Sequence, residues 1–415
     1  MTDSRPVLSS PSITRRQALK TLGAAAAGVV LAAPAVLPVL AAPATLRRRF
    51  QLFAASTTTY SARSIALIQR SLVIDMLSQF KLGAFLDVLG GPGPRVTTWF
   101  SHPETFTAAD FERYRSSGIT VFHIGWGYGR DAYSDAHKIL AAWNRLLAHH
   151  PQWLVRIDRA SQFDQVKRAG KVGILLGFQN SDHFRTAADV DGFHRLGQRV
   201  SQLTYNVRNA IGCGYEQRPD TGLTPFGGEV IARMNRAGMA VDVSHCGDRT
   251  TLDAFAASRK PVLITHANCR ALNPHPRNKS DAEIRRMAAA GGVMGISGVR
   301  MFVRATEPTT IEHVLDHFDH VAKLVGVEHV GVGSDIDLDG YDKLPPVLRR
   351  RMLVGYKNSP AFRGEGEIEG LNHPKRMFDL TEGLIRRGYS NAQIELILGG
   401  NFRRALGEIW GPAGA

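Results

Sequence analysis

Cysteine is scarce in this chain: three residues in 415, at Cys213, Cys246 and Cys269. Three thiols make no disulfide framework, which excludes the small, disulfide-stapled scaffolds. One pair could bridge, but three buried thiols is the favoured reading. Acidic residues are also in deficit, 37 against 51 Lys and Arg, for a net charge of +14. The excess is spread along the chain, without an arginine-rich tail or an aromatic-basic repeat. No nucleic-acid partner is therefore expected; a basic solvated surface that could lie against an anionic envelope is. An internal repeat and a nucleotide-binding glycine pattern are both missing, so neither competes with the α/β reading developed below.

A long run without charge stands near the N-terminus. Arg15-Arg16-Gln17-Ala18-Leu19-Lys20 precedes an uncharged stretch from Thr21 to Ala42 rich in Ala, Val and Leu. This reads as a twin-arginine secretion signal over residues 1–42, with a cut after Ala41 or Ala42 and a periplasmic or other extracytoplasmic destination. A single membrane anchor is the alternative, although Gly23, Gly28, Pro34 and Pro38 favour a cleaved signal. Residues 43–415 are expected to form one (β/α)8 barrel with loop insertions and C-terminal helices.

Short β-rich runs alternate with helical periodicity along that segment. The expected strands are Leu72 to Asp75, Ile119 to His123, Lys171 to Phe178, Val200 to Thr204, Met239 to Ser244, Pro261 to His266, Gly292 to Ser297, and a last one ending near Asp335. Helices are expected from about Thr107, over Ala132 to His149, and before each later strand. Phe85 to Pro103, rich in Gly and Pro, reads as a long loop on the active face.

Several of the later runs close on residues that bind metals or move protons. Val241-Asp242-Val243-Ser244-His245, Leu263-Ile264-Thr265-His266 and Val332-Gly333-Ser334-Asp335 each end this way. In a (β/α)8 barrel the C-terminal ends of the strands carry the site. His245 and His266, with Asp335 and water, make a plausible set for one zinc or another divalent ion; the alternative is polar support of the barrel mouth. Asp335 cannot easily be both a tight ligand and a proton shuttle, so Asp337 and His123 are weaker candidates for the second role. Arg277, in the stiff segment Asn273-Pro274-His275-Pro276, carries a planar fork suited to a carboxylate. Gln179, Asn180 and Tyr205 are candidate hydrogen-bonding walls of the same cavity, and Asp75 a weaker one. Trp99, Phe100, Trp126 and Tyr128 are expected either as an aromatic wall or as core.

The order of Leu203-Thr204-Tyr205-Asn206, Gly222-Leu223-Thr224-Pro225-Phe226-Gly227, Val241 to His245, Ile264-Thr265-His266-Ala267-Asn268, His275-Pro276-Arg277-Asn278, Gly333-Ser334-Asp335 and Leu398-Gly399-Gly400-Asn401 resembles the membrane (renal) dipeptidase family, the M19 metallopeptidases. The resemblance implies a barrel, commonly dimeric, that hydrolyses dipeptides through two zinc ions. It puts His245 and His266 at the second metal, Arg277 at the substrate carboxylate, Asp335 at the acid/base position, and Tyr205 where the family has a substrate-contacting histidine. The departures fall in the first half. Asp75-Met76-Leu77-Ser78-Gln79 stands where the family has Asp-Gly-His-Asn-Asp, so Leu77 and Gln79 replace two first-metal ligands. Gln179 replaces the bridging glutamate. A leucine coordinates nothing and neutral amides cannot offset two close cations, so a dinuclear centre is not expected.

Two functions follow. The leading one is an exported metal-dependent hydrolase of the dipeptidase type, cleaving an amide or peptide bond in a small carboxylate-bearing substrate, peptide-like or acyl-amino-acid, with a metal-activated water. The other is a non-catalytic or metal-free barrel that binds or tailors a small peptide-like ligand.

Overall fold

The closing strands of the sheet carry the residues just named, and their register fixes where those residues meet. The structure, a computed structural model, describes residues 60–90, 95–128, 131–340, 344–355, 366, 368 and 370–411. The segment expected as a twin-arginine leader, residues 1–42, lies outside the described residues. From residue 60 onward the chain belongs to one compact unit.

Among the described residues there are nine strands: β1 (Ile74–Ser78), β2 (Val121–Trp126), β3 (Leu154–Arg156), β4 (Val172–Phe178), β5 (Gln198–Gln202), β6 (Ala240–Asp242), β7 (Val262–Ala267), β8 (Met294–Ile296) and β9 (Val330–Val332). Eight of them run in the order β1-β2-β4-β5-β6-β7-β8-β9. Every pairing is parallel. Helices cover the outside, which makes the molecule a (β/α)8 barrel, as expected. The short β3 was not anticipated. It pairs with the first half of β4, at Val172 to Ile174, while β5 pairs with the second half from Leu176. Three residues with one charged arginine carry too little period-2 signal to read as a strand.

The seam between β9 and β1 is closed mainly by side chains. Asp335 N–H donates to the Leu77 carbonyl at 2.9 Å, and Ser78 Oγ to the Ile336 carbonyl at 3.1 Å. Asp75 accepts Ser334 N–H at 2.8 Å and Ser334 Oγ–H at 2.5 Å, and pairs with Arg376 at 3.2 Å. Both charged partners are fully buried, so each depends on the other for its stability in a low-dielectric site.

Local sequence explains the outer layer. Helix Pro225–Ala237 starts where Thr224 accepts the Gly227 N–H and Pro225 takes the first turn, where its missing N–H costs nothing. Helix Ile311–Val325 buries Ile311, Val314, Leu315, Phe318 and Val321, an i, i+3, i+4, i+7 stripe. The Gly/Pro-rich segment expected as one loop contains a helix, Phe85–Leu89. Its aromatics belong to the core: Phe100 packs on Trp126 (ring centroids 5.0 Å) and on Trp143 (4.7 Å). The three cysteines are free and buried. Among the described residues no helix is long and apolar enough to cross a membrane.

Candidate functional site

At the mouth of the barrel two imidazoles face each other. His245 follows β6, His266 ends β7, and their Nε2 atoms lie 3.1 Å apart. The outer nitrogens fix which atom carries the proton. Asn206 Nδ2 donates to Glu216 at 3.0 Å, which turns Asn206 Oδ1 toward His245 Nδ1 at 2.8 Å. An amide oxygen only accepts, so His245 holds its proton on Nδ1. Thr265 gives its hydroxyl proton to Asp242 Oδ2 at 2.7 Å, while Ser244 takes the other carboxylate oxygen at 2.5 Å. Thr265 Oγ1 is thereby left to accept from His266 Nδ1 at 2.9 Å. Both neutral rings then turn bare Nε2 lone pairs toward each other, an arrangement that asks for a hydrogen or a positive charge between them. Burial, then the Arg277 cation, pushes the pKa of each ring well below the ordinary histidine value, so neither readily supplies that charge itself.

Arg277 is buried beneath the pair. Its guanidinium donates to the carbonyls of Ser244 and, at 2.8 Å, of His266, tying together the ends of β6 and β7. Its Nε–H is buried without a partner among the described residues. Tyr205 stacks on His245, with centroids 4.3 Å apart and planes 18° from parallel, and the residue as a whole is 38% exposed. Asp335 interacts electrostatically with both Arg277 and Tyr205. Its backbone is left-handed, with φ 57°, a conformation that costs a non-glycine residue about 1 kcal/mol and that clusters at functional sites. Burial raises the Asp335 carboxyl to a pKa of about 7; Arg277 pulls against that shift, and Asp75 adds to it.

In the other half of the mouth, carbon, an amide and a bonded imidazole take the corresponding space. Leu77 is fully buried and lies over Gly125, where a Cβ would come within 2.4 Å of its Cδ1. Gln179 shares that space, and its Nε2 donates to the Gly125 carbonyl at 2.7 Å. His123 lies over Gly177, where a Cβ would meet its Nε2 at 2.3 Å. Glycine at both positions lets side chains from neighbouring strands lie across the sheet. His123 Nδ1–H donates to the Met76 carbonyl at 2.6 Å, leaving Nε2 bare and buried without a partner. Burial lowers its pKa despite that bond.

Two weaker candidates, Asp75 and Asp337, and the wall candidate Asn180 are committed to neighbouring groups. Asp75 holds the seam. Asp337 accepts the N–H groups of Leu82, Asp339 and Gly340 at 2.8–3.1 Å. Asn180 Oδ1 accepts from Ser181 and Asn209, and its Nδ2 donates to Asp182. Sequence reasoning missed the residues that orient the two imidazoles, Asn206, Glu216, Thr265 and Asp242. Three of them stand in the motifs quoted above, so the signal was present as spacing without a role.

Residues 100–350 match the family described as membrane dipeptidase, peptidase family M19. The chain belongs to that family. Similar M19-type proteins include the dipeptidase tcpJ of Claviceps purpurea, 30% identical over 279 residues, 66% of this chain and 60% of that one. An uncharacterized dipeptidase of Schizosaccharomyces pombe, C965.12, is 36% identical over 218 residues, 49% of this chain and 52% of its own. The chain thus spans about half to three-fifths of these relatives. Among solved structures, an amidohydrolase from Pseudomonas aeruginosa superposes with a TM-score of 0.70 at 27% identity, covering 84% of this chain and 99% of the other. A metallo peptidase from Rhodobacter sphaeroides, liganded with a phosphinate mimic of L-Ala-D-Ala, shares the fold at TM-score 0.63 and 21% identity, over 82% and 99% of the two chains.

The family's metals do not fit this donor set, and the zinc or other single divalent ion expected on His245, His266 and Asp335 is corrected here. Among the described residues no group of three or more His, Cys, Asp or Glu side chains is placed to hold a metal ion. The physical reason is a missing third donor. Leu77 offers only carbon, the Gln179 amide is committed to Gly125, and the left-handed Asp335 belongs to the Arg277 neighbourhood. Two imidazoles alone fall short of the three or four protein ligands that zinc sites use.

Proposed function

We propose that the chain is a metal-free member of the M19 family that binds, or tailors by proton transfer, a small peptide-like ligand at the barrel mouth. The observation that carries this reading is the pair of bare Nε2 atoms at 3.1 Å. A ligand ammonium or N–H group donating to both would supply the hydrogen and charge that the pair lacks. Arg277, a buried cation close by, supplies the complementary charge for a ligand carboxylate. An amine at one end and a carboxylate at the other describe an amino acid or short peptide. Asp335, with a pKa of about 7, is poised to give or take one proton near neutral pH. The fold and family are those of hydrolases acting on small substrates, and the relatives named above carry dipeptidase names; both support a peptide-like ligand.

Calorimetric titration of the purified chain with Ala-Ala, in the presence of a chelator, tests this reading. Binding should persist in the chelator and weaken at least about tenfold with N-acetyl-Ala-Ala or in His266→Ala, a loss of about 1.4 kcal/mol. Binding that requires added zinc, or that is indifferent to acetylation, would overturn it.

A further inference from the structure

At the opposite end of the barrel, where the strands begin, lies a second cavity of about 390 Å³. Ile119 and Thr120 lead into β2, and Gly170 and Lys171 into β4, so this cavity opens on the N-terminal face, away from His245 and His266. Its volume is within the range of small-molecule sites. Ile68, Ile119 and Phe378 form an apolar wall, while Arg115, Lys167, Lys171 and Glu112 supply the charge.

The charges do not cancel. Arg115 and Glu112 neutralise each other through two bonds at 2.7 and 2.9 Å. Lys167 and Lys171 form no ion pair with a carboxylate among the described residues. Their ammonium groups rest on backbone carbonyls, of Ile68 at 3.0 Å and Pro151 at 2.8 Å. At the rim Lys375 likewise donates to the carbonyl of Ser116, a lining residue. An ammonium has three donors, and a neutral carbonyl offers it no counter-charge. Lys167 is also partly withdrawn from water, and this desolvation lowers its pKa. Lys167 and Lys171, each given a carbonyl where a carboxylate would be the usual partner, leave the cavity short of negative charge, while Lys375 at the rim also feels the Glu112 carboxylate.

We infer that this cavity binds the phosphoryl group of a small molecule, with the rest of the ligand lying on the Ile68, Ile119 and Phe378 wall. Compact ammonium groups suit a multiply charged tetrahedral anion, and concavity favours a free small molecule over a lipid headgroup in a flat membrane. This site is independent of the mouth, and its failure would leave the proposed function untouched.

Titration of the full chain with pyrophosphate at low ionic strength tests it, with vesicles containing phosphatidylglycerol as a second arm. Pyrophosphate should bind, and binding should weaken at least about tenfold in the Lys167→Gln/Lys171→Gln double variant and about threefold in Lys171→Gln, whose ammonium is exposed. It should also weaken as salt screens the lysines. His245→Ala should leave it unchanged. Absence of binding, or equal binding by wild type and the Lys171→Gln variant, overturns the site. Binding to vesicles without binding to pyrophosphate overturns the small-molecule assignment.

Discussion

The two halves of the barrel mouth are built from opposite materials. On the β6, β7 and β9 side, His245, His266, Arg277 and Asp335 are buried polar groups, and the two imidazoles are oriented by Asn206, Thr265 and Asp242. On the β1, β2 and β4 side, the corresponding space is taken by Leu77 packed over Gly125, by an amide tied to that glycine's carbonyl, and by a histidine bonded to Met76. A group left polar after its metal partner is gone would be a burial penalty of several kcal/mol. The first half lessens that penalty with carbon at Leu77 and a bonded amide at Gln179, although His123 Nε2 stays bare there. The second half holds buried polar groups together with the hydrogen bonds that support them, and the proposed metal-free site rests on that arrangement.

The halves meet at Asp75, and the largest expected effect comes from removing it. Asp75→Ala leaves Arg376 a buried cation with no carboxylate and takes the acceptor from both Ser334 donors. The loss should be about 3–5 kcal/mol in urea unfolding. A loss below about 1 kcal/mol would mean that the seam stands on its backbone bonds.

The contrast itself can be reversed. Leu77→His/Gln79→Asp/Gln179→Glu returns donor side chains to the first half. Zinc affinity, measured against a competing chelator, should rise about a hundredfold or more over the parent chain. Should the triple variant fold and bind no better, the backbone at the end of β1, and not its side chains, separates this chain from metal-binding relatives.

A smaller effect separates the acid from the imidazoles by pH. Burial raises the Asp335 pKa from 3.8 to about 7, so between those values the unfolded chain gives up this proton while the folded chain keeps it. Stability from this group is therefore full below the lower value and falls as pH rises toward the upper one. His245 and His266, with lowered pKa values, act in the other sense and lose stability as pH falls below the ordinary histidine range. Asp335→Asn should gain about 1–3 kcal/mol over the parent at pH 8 and nothing near pH 4. An equal change at both pH values would assign the effect to packing.

Most of the barrel was legible because parallel strands buried on both faces read as short apolar runs, and their C-terminal residues announce themselves. Boundaries moved where the signal was weak. β1 was expected to end at Asp75 and runs to Ser78, because Met76 and Leu77 are buried as strand interior. The loss at Leu77 and Gln179 was legible residue by residue. The metal expectation at His245, His266 and Asp335 fails on the third donor, since sequence order sets which strand ends carry donors but not the backbone turn at Asp335. The Nδ1 partner of His245, Asn206, comes from a loop 39 residues away, and although that of His266 is its neighbour Thr265, the proton direction there is set by Asp242 on the adjacent strand.

The smallest effect tests how the retained half divides packing from chemistry. Tyr205 stacks its ring on His245 and exposes more than a third of its surface. Tyr205→Phe keeps the stack and removes only the hydroxyl. Stability should stay within about 0.5 kcal/mol of the parent, as for other changes at exposed positions. If the hydroxyl meets the ligand, Ala-Ala affinity should fall about threefold to tenfold, the scale of one lost hydrogen bond. Unchanged affinity would make Tyr205 a platform that holds His245 flat, and would leave Arg277 and the facing imidazoles to recognise the ligand without it.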